Sequence, residues 1–394
     1  MERYWAINGR FLGQPTSGVQ RYAREVIQAL DSLLSEQPKH GDDLVVELLA
    51  PPNARSQLPL KTIHTRTVGT SSGHGWEQFA LPFYARGGLI SLCNTGPLAK
   101  KKQIVCIHDV NTRNYPHSYS FAFRSFYHLL LPALGRSAQA IATVSNHSAG
   151  DLDRYGICKR GKVLVAPNGH EHALSWQPTH SDATRAAAGP DTIVLMGSNI
   201  PHKNVGLILG MARKLSGAGF RIAVIGNIDM HVYNNSDLNT GAPNVSWLGR
   251  VTDDEFAALL RDSLCLAFPS FVEGFGLPPL EAMAIGCPVV VSDTASMPEV
   301  CGDAALYASP YNPEEWLEHF MRLRRETGLR EQMIMRGWAR TRRYRWSATA
   351  RRYLDLMAQM DGVEIPPPEK IAAAVSVQPS SRQTPLEQIR RFSE

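Results

Sequence analysis

The sequence predicts an α/β protein built from two doubly wound parallel-sheet domains, and three observations predict it. Short apolar runs of strand length alternate with helical patterns along most of the chain. A polar stretch at 175–190 divides that alternation into two series. The length of 394 residues, at roughly 150 per domain, allows two or three domains.

In the first series, residues 4–7, 44–49, 104–107 and 140–144 read as buried strands, and 19–34 and 121–134 carry apolar residues at helical spacing. The second series runs strand 192–196, helix 205–215, strand 221–225, helix 253–260, strand 265–268, a helix from Pro278 and strand 288–291. Repeated βα units imply parallel sheets with helices on both faces. Ligands of such sheets lie beyond the carboxyl ends of the strands, so a cleft between the domains is the expected site. From 363 onward prolines and serines replace large apolar residues, which predicts a disordered tail over 363–394.

Composition narrows the classes. With 43% hydrophobic and 20% charged residues, disorder over most of the chain is excluded. A net charge of +5 gives no ground for a nucleic-acid partner. Its distribution is uneven, since residues 1–170 hold 19 basic and 11 acidic residues while the remainder is net negative. The six cysteines form no C-x-x-C pair and are expected as reduced, buried thiols. No apolar run approaches the ~20 residues of a membrane span, and no signal peptide is visible, so a cytoplasmic protein is expected.

The most informative run is Phe271-Val272-Glu273-Gly274-Phe275-Gly276-Leu277-Pro278-Pro279-Leu280-Glu281. A strand ends, the chain turns through two glycines, and a helix opens on two prolines. Proline fits there because first-turn amides have no intrahelical partner. The amides of Phe275, Gly276 and Leu277, with the helix dipole behind them, form an anion seat. Glu273 precedes the turn and Glu281 lies about one helical turn inside the helix. They are too far apart for a paired acid/base device and suit two parts of one polyhydroxylated ligand.

A second anchor is Met196-Gly197-Ser198-Asn199-Ile200-Pro201-His202-Lys203-Asn204, where a Gly-Ser turn and a lysine at a helix entrance suit a diphosphate. A third is Gly13-Gln14-Pro15-Thr16-Ser17-Gly18, between the first strand and first helix. It lacks G-x-G-x-x-G, and no Walker A run occurs, which argues against a dinucleotide enzyme or an NTPase. A fourth, Ile104-Val105-Cys106-Ile107-His108-Asp109, ends a strand on His108.

Together these runs, with Gly286 to Ser292 and Pro298 to Ala305, resemble the retaining GT-B glycosyltransferases of family 4, whose E-x7-E motif the first run matches. The resemblance covers about residues 4–360. It implies two Rossmann-like domains facing across a cleft: an acceptor domain at 1–170, a nucleotide-sugar domain at 171–345, and a helix at 346–362 crossing back to the first. It implies that Glu281 binds the ribose, that Glu273 and His108 face the donor sugar, and that Lys203, Ser198, Asn199, Gly18 and the amides of Phe275 to Leu277 hold the diphosphate region. Many relatives carry an arginine where this chain has Ser198-Asn199, so the leaving group should rest more on Lys203. No cofactor and no obligatory metal are expected.

Within the family the chain is most similar to bacterial mannosyltransferases of the cellobiosyl-diphosphopolyprenol type in acetan and xanthan assembly. That implies GDP-mannose as donor, a polyprenyl-diphosphate-linked oligosaccharide as acceptor, and a place on the anionic inner face of the cell membrane. Alternatives are another nucleotide sugar (UDP-glucose, UDP-GlcNAc or dTDP-rhamnose) for lipopolysaccharide or capsule assembly, a nucleotide-sugar 2-epimerase, and a non-catalytic sugar-nucleotide binder.

Four other features have plainer expected roles. His170-Glu171-His172 lacks the further ligands a zinc site needs. Asp151 and Asp153 are expected to cap a helix start. The arginines from Arg336 to Arg352 are expected on a solvated helix face, with an anionic lipid contact as the alternative. Core packing is expected for Phe121, Phe123, Phe126, Tyr127 and Leu129 to Leu131, with a lipid contact as the alternative.

Overall fold

The computed structural model describes residues 2–36, 43–226 and 242–363. The tail expected to be disordered lies outside the described residues apart from Val363. Seven parallel strands form the first sheet: β1 (Arg3–Asn8), β2 (Leu44–Ala50), β3 (His64–Thr67), β4 (Gly88–Ser91), β5 (Gln103–Cys106), β6 (Ala140–Thr143) and β7 (Val163–Val165). Their order is β3-β2-β1-β4-β5-β6-β7. Six more form the second: β8 (Gly189–Met196), β9 (Arg221–Ile225), β10 (Val245–Gly249), β11 (Ser263–Phe268), β12 (Val289–Ser292) and β13 (Leu306–Ala308). Their order is β10-β9-β8-β11-β12-β13, again all parallel. The strand order of each sheet therefore reverses once, at β1/β4 and at β8/β11, and a crevice opens beyond the strand ends there.

Every residue of β11 is buried, as a central parallel strand covered on both faces requires. The strands that escaped the sequence reading lack such a run. β3 is His-Thr-Arg-Thr, exposed throughout at the sheet edge, and β4 is four residues behind Gly87. The single helix expected over 205–215 is two, Val205–Gly210 and Ala212–Gly217, broken at Met211.

Helices α1 (Gly18–Glu36), α2 (Phe121–Ser137) and α3 (Asn146–Arg154) belong to the first layer, α4 (Asp253–Arg261) and α5 (Leu277–Ile285) to the second. The last helix, α6 (Trp346–Met360), returns to pack on α1. The Tyr22 hydroxyl donates to the Ala166 carbonyl at 2.9 Å, so the Tyr353 hydroxyl, also at 2.9 Å, donates to Tyr22. Beyond α6, Asp361 accepts from Arg3 Nε (2.8 Å) and the Trp5 indole (2.9 Å) and pairs with Lys102 (2.6 Å). Burial alone would raise this carboxyl; Lys102, Trp5 and Arg3 outweigh it and hold it below its ordinary value.

All six cysteines are free thiols, four of them buried and Cys93 and Cys158 partly so. Among the described residues no helix is long and apolar enough to cross a membrane.

Two of the plainer expectations change and one holds for all but a single residue. Ser145, not an aspartate, caps α3 by accepting from Ser148 N; Asp151 sits inside the helix, bound by Asn114 (2.5 Å) and Arg154 (2.8 Å). The arginine run is exposed as expected at Arg336, Arg342, Arg343, Arg345, Arg351 and Arg352, and only Arg340 is half-buried, reaching back to the carbonyls of Glu299 and Val300. In α2 only Leu130, Leu131 and Leu134 are buried, while Phe121, Phe123, Phe126 and Leu129 are exposed. The first two turns of α2 project past the core, so core packing fails there.

Candidate active site

The second crevice is built by two loops that leave β8 and β11 side by side. The first leads through Ser198 and Asn199 into the turn Pro201–Lys203, with Asn204 in the left-handed region at φ 52°. Ser198 Oγ accepts from Ile200 N at 3.2 Å. The second loop carries Glu273 into α5. Lys203 Nζ donates to Glu273 Oε1 at 2.6 Å. Two ties hold this pairing: Phe271 N donates to the His202 carbonyl (2.8 Å), and Asn204 Nδ2 to those of Pro269 (3.1 Å) and Pro310 (2.8 Å).

From the last residue of β12 onward, three hydroxyls at alternate positions pin the same loop. Ser292 donates to the Ser270 carbonyl (2.6 Å), Thr294 to Phe271 (3.0 Å), and Ser296 to both Glu273 (3.0 Å) and Phe275 (2.9 Å). Gly276, at φ 94°, turns the chain into α5, whose start has no side-chain cap. Pro278 and Pro279 bring no amide hydrogen, so the free donors at this end are backbone N–H groups beside Glu273. Phe275 and Leu277 are buried.

The first domain closes directly on this loop. The Gly274 carbonyl accepts from Ser145 Oγ (2.6 Å) and Ser148 Oγ (3.1 Å). A Cβ on Gly274 would lie 2.5 Å from the His108 carbonyl, so only glycine fits. Glu299 accepts from Asn146 N (2.8 Å) and His147 N (3.0 Å), capping α3 from the other domain. Tyr115 stacks on Phe271 at 5.5 Å, and His202 Nδ1 meets Ser118 Oγ at 3.0 Å.

His108 therefore meets the loop through its carbonyl. Its imidazole is buried, with Nε2 2.8 Å from the Leu92 carbonyl and its ring edge-on to Tyr22. Gly18 lies exposed at the start of α1 with open space around it. Glu281 occupies a separate corner. It is buried, and its Oε1 accepts from His172 Nε2 at 2.9 Å with Arg21 Nε at 3.7 Å. The Trp346 indole donates to His172 Nδ1 (3.0 Å), which places the imidazole proton on Nε2, toward Glu281. Arg21 also reaches Asp253 of the second domain at 2.6 Å.

The His-Glu-His run is thus divided among other tasks: His170 binds the Tyr344 carbonyl, Glu171 the Trp346 amide, and His172 Glu281. Among the described residues no cluster of three His, Cys, Asp or Glu side chains could hold a metal.

Charge in the seam is tuned by burial. Burial raises the Asp109 carboxyl; the Asn111 amide and Lys203 oppose this, and Glu273 adds to it. Burial and the Lys203 charge depress His202 to about 4, against a partial offset from Glu273, so this imidazole is neutral in the folded protein. Sequence reasoning gave no role to Arg21, Ser145, His172, His202 or Glu299. All but Ser145 lay inside a run already noted, and the partner of each is in the other domain or after a long stretch of chain.

Two parallel-sheet domains meeting over a Lys–Glu pair and an amide-lined helix start define a protein of the GT-B fold. Residues 177–340 match the family model of group 1 glycosyl transferases, so the second domain is a group 1 glycosyl transferase domain. The chain is similar to O-antigen chain mannosyltransferase RfbU of Salmonella typhimurium, 27% identical over 57% of this chain and 61% of that one. It is also similar to the MMP alpha-(1->4)-mannosyltransferase of Mycolicibacterium hassiacum, 41% identical over 46% of this chain and 44% of that one. The chain thus spans less than two thirds of either relative. Among solved structures, Anabaena Alr3699/HepE in complex with UDP-glucose superposes with a TM-score of 0.67 at 15% identity, over 91% of this chain and 100% of that one.

Proposed function

We propose that this chain is a retaining glycosyltransferase that moves mannose from GDP-mannose to a polyprenyl-diphosphate-linked oligosaccharide, at the anionic inner face of the cell membrane, in exopolysaccharide assembly. The observation that carries the reading is the Lys203–Glu273 pair at 2.6 Å beside the uncapped start of α5. A donor diphosphate entering there takes the Lys203 ammonium and the free amides as its counter-charges. Glu273, released from the lysine, accepts from hydroxyls of the sugar.

As the bond to the leaving diphosphate breaks, negative charge grows on its oxygens, and Lys203 is set to stabilise it. One such donor supplies about 2.7–4 kcal/mol in a transition state. Glu281 holds the ribose, with His172 fixing the carboxylate's orientation. Neither carboxylate is placed in a nucleophilic role, and no metal is given a required one. Mannose as the sugar is supported by the two relatives named as mannosyltransferases.

The test incubates the full chain with radiolabelled GDP-mannose, UDP-glucose or UDP-GlcNAc and a bacterial lipid extract. Label from GDP-mannose is expected in the organic phase, unaffected by EDTA. Transfer from a uridine donor instead overturns the donor assignment, and label recovered only in water-soluble products overturns the lipid acceptor. An epimerised sugar released without acceptor overturns transfer itself.

A further inference from the structure

The first domain carries an apolar surface that its core does not need. Phe83 is 88% exposed, and Phe79, Phe121 and Leu129 are each 76% exposed. Two segments supply it: residues 76–84, and the first turns of α2. They are neighbours, because the His74 ring lies 4.9 Å from that of Phe126. The surface also borders the crevice. Phe123 stacks on Tyr119 at 5.4 Å, and Tyr119 lies 6.0 Å from His202, beside Lys203.

Its charge identifies the occupant. From residue 78 to residue 150 the chain holds seven Lys and Arg against a single carboxylate, Asp109. Arg86 follows directly on the Phe79–Phe83 segment, and Lys100 is tied to its end by donation to the Ala85 carbonyl at 2.7 Å. Arg124 lies over the Phe121 ring at 6.0 Å. Among the described residues none of Arg86, Lys100, Lys101 or Arg124 is paired with a carboxylate, whereas Arg3, Arg10, Arg21 and Lys102 are. Exposed phenylalanines with the unpaired Arg124 over one of them and the unpaired Lys100 at the end of the other segment match an anionic lipid interface, where rings enter the acyl boundary and cations meet phosphate. A second copy of this chain would bring the same positive charge to the contact, which disfavours self-association.

We infer that residues 76–84 and the start of α2 form one docking surface for an anionic bilayer, with Phe79, Phe83, Phe121 and Leu129 inserted and the mouth of the Lys203 crevice held at the headgroup level. This deepens the proposed lipid-linked acceptor and rests on that reading. The acceptor would then meet the crevice from the membrane side, its chain still in the bilayer.

The test is co-sedimentation of the full chain with phosphatidylcholine vesicles, with and without phosphatidylglycerol. A Phe79→Ser/Phe83→Ser variant and an Arg86→Glu/Lys101→Glu variant are run beside it, with thermal melts to check folding. The full chain is expected to bind only the anionic vesicles. Each variant should lose about tenfold or more in partitioning, with transfer to a water-soluble short-chain acceptor unchanged. Absence of binding to anionic vesicles overturns the docking surface, as does unchanged binding by both folded variants. So does a dimer of the full chain that the phenylalanine variant dissolves without any vesicle binding. Failure of transfer to the soluble acceptor alongside intact vesicle binding counts against the proposed function instead.

Discussion

The two crevices occupy the same place in two similar sheets, yet they are filled in opposite ways. At β8/β11 the polar groups are half-buried and directed at open backbone amides: Lys203, Glu273 and the start of α5. At β1/β4 the polar groups are sealed. Glu77 is completely buried and accepts at Oε1 from Asn8 Nδ2 (2.7 Å), Arg10 Nε (3.1 Å) and Thr95 Oγ1 (3.0 Å), with His74 Nδ1 3.2 Å from Oε2. Burial would raise this carboxyl, and His74, Arg10, Asn8 and Thr95 together reverse the shift and keep it ionised. A carboxylate whose donors are all internal has little left to offer a ligand, whereas the Lys203 ammonium, held by the single carboxylate of Glu273, can exchange that partner for phosphate. The first crevice thus maintains the fold, and the second is poised for exchange.

Glu77→Ala makes the strongest attack on that contrast. It strands the Arg10 charge in the interior and is expected to cost about 3–5 kcal/mol of stability, read from urea unfolding. If the variant keeps its stability and loses only transfer, the first crevice is not the structural one. Lys203→Ala comes next, with turnover down about 10²- to 10³-fold and the melting temperature nearly unchanged. Loss of stability matching that of Glu77→Ala would erase the distinction between the two crevices.

The seam between the domains has its own signature in pH. His202 is held near 4 when folded, against an ordinary 6.5. Between those values the unfolded chain takes up a proton that the folded chain refuses, so stability falls as pH drops from 6.5 toward 4, by up to about 3 kcal/mol. His202→Gln should flatten that part of the profile. The smallest effect is expected at His172→Gln, which loosens Glu281 without removing it. Losing about 1 kcal/mol corresponds to roughly a fivefold higher KM for the donor, with turnover preserved.

Legibility in the sequence follows the same division. The loop from Glu273 to Glu281 could be read because its form is dictated locally, by glycine where the chain must turn or approach closely and by proline where no amide is needed. The hydroxyls of Ser292, Thr294 and Ser296 that brace it recur at every second residue, but nothing local says which carbonyls they meet. Asn8 and Arg10, Glu77, and Thr95 come from three separate stretches and carry no shared spacing. The aromatic start of α2 was read by period alone, which tells that a helix forms but not how far the sheet beneath it extends.

The sequence by itself determined the alternation of strands and helices, the two-domain division and the backbone form of the second crevice. These depend on neighbours a few residues apart, where sterics and hydrogen bonding act directly. Tertiary structure alone decided that Glu281 is held by His172 and Arg21, that Glu299 caps α3 across the seam, and that Phe79, Phe83, Phe121 and Leu129 of the first domain stay in solvent. Each of these depends on where separate surfaces come to rest, and that position is set by the packing of both cores at once.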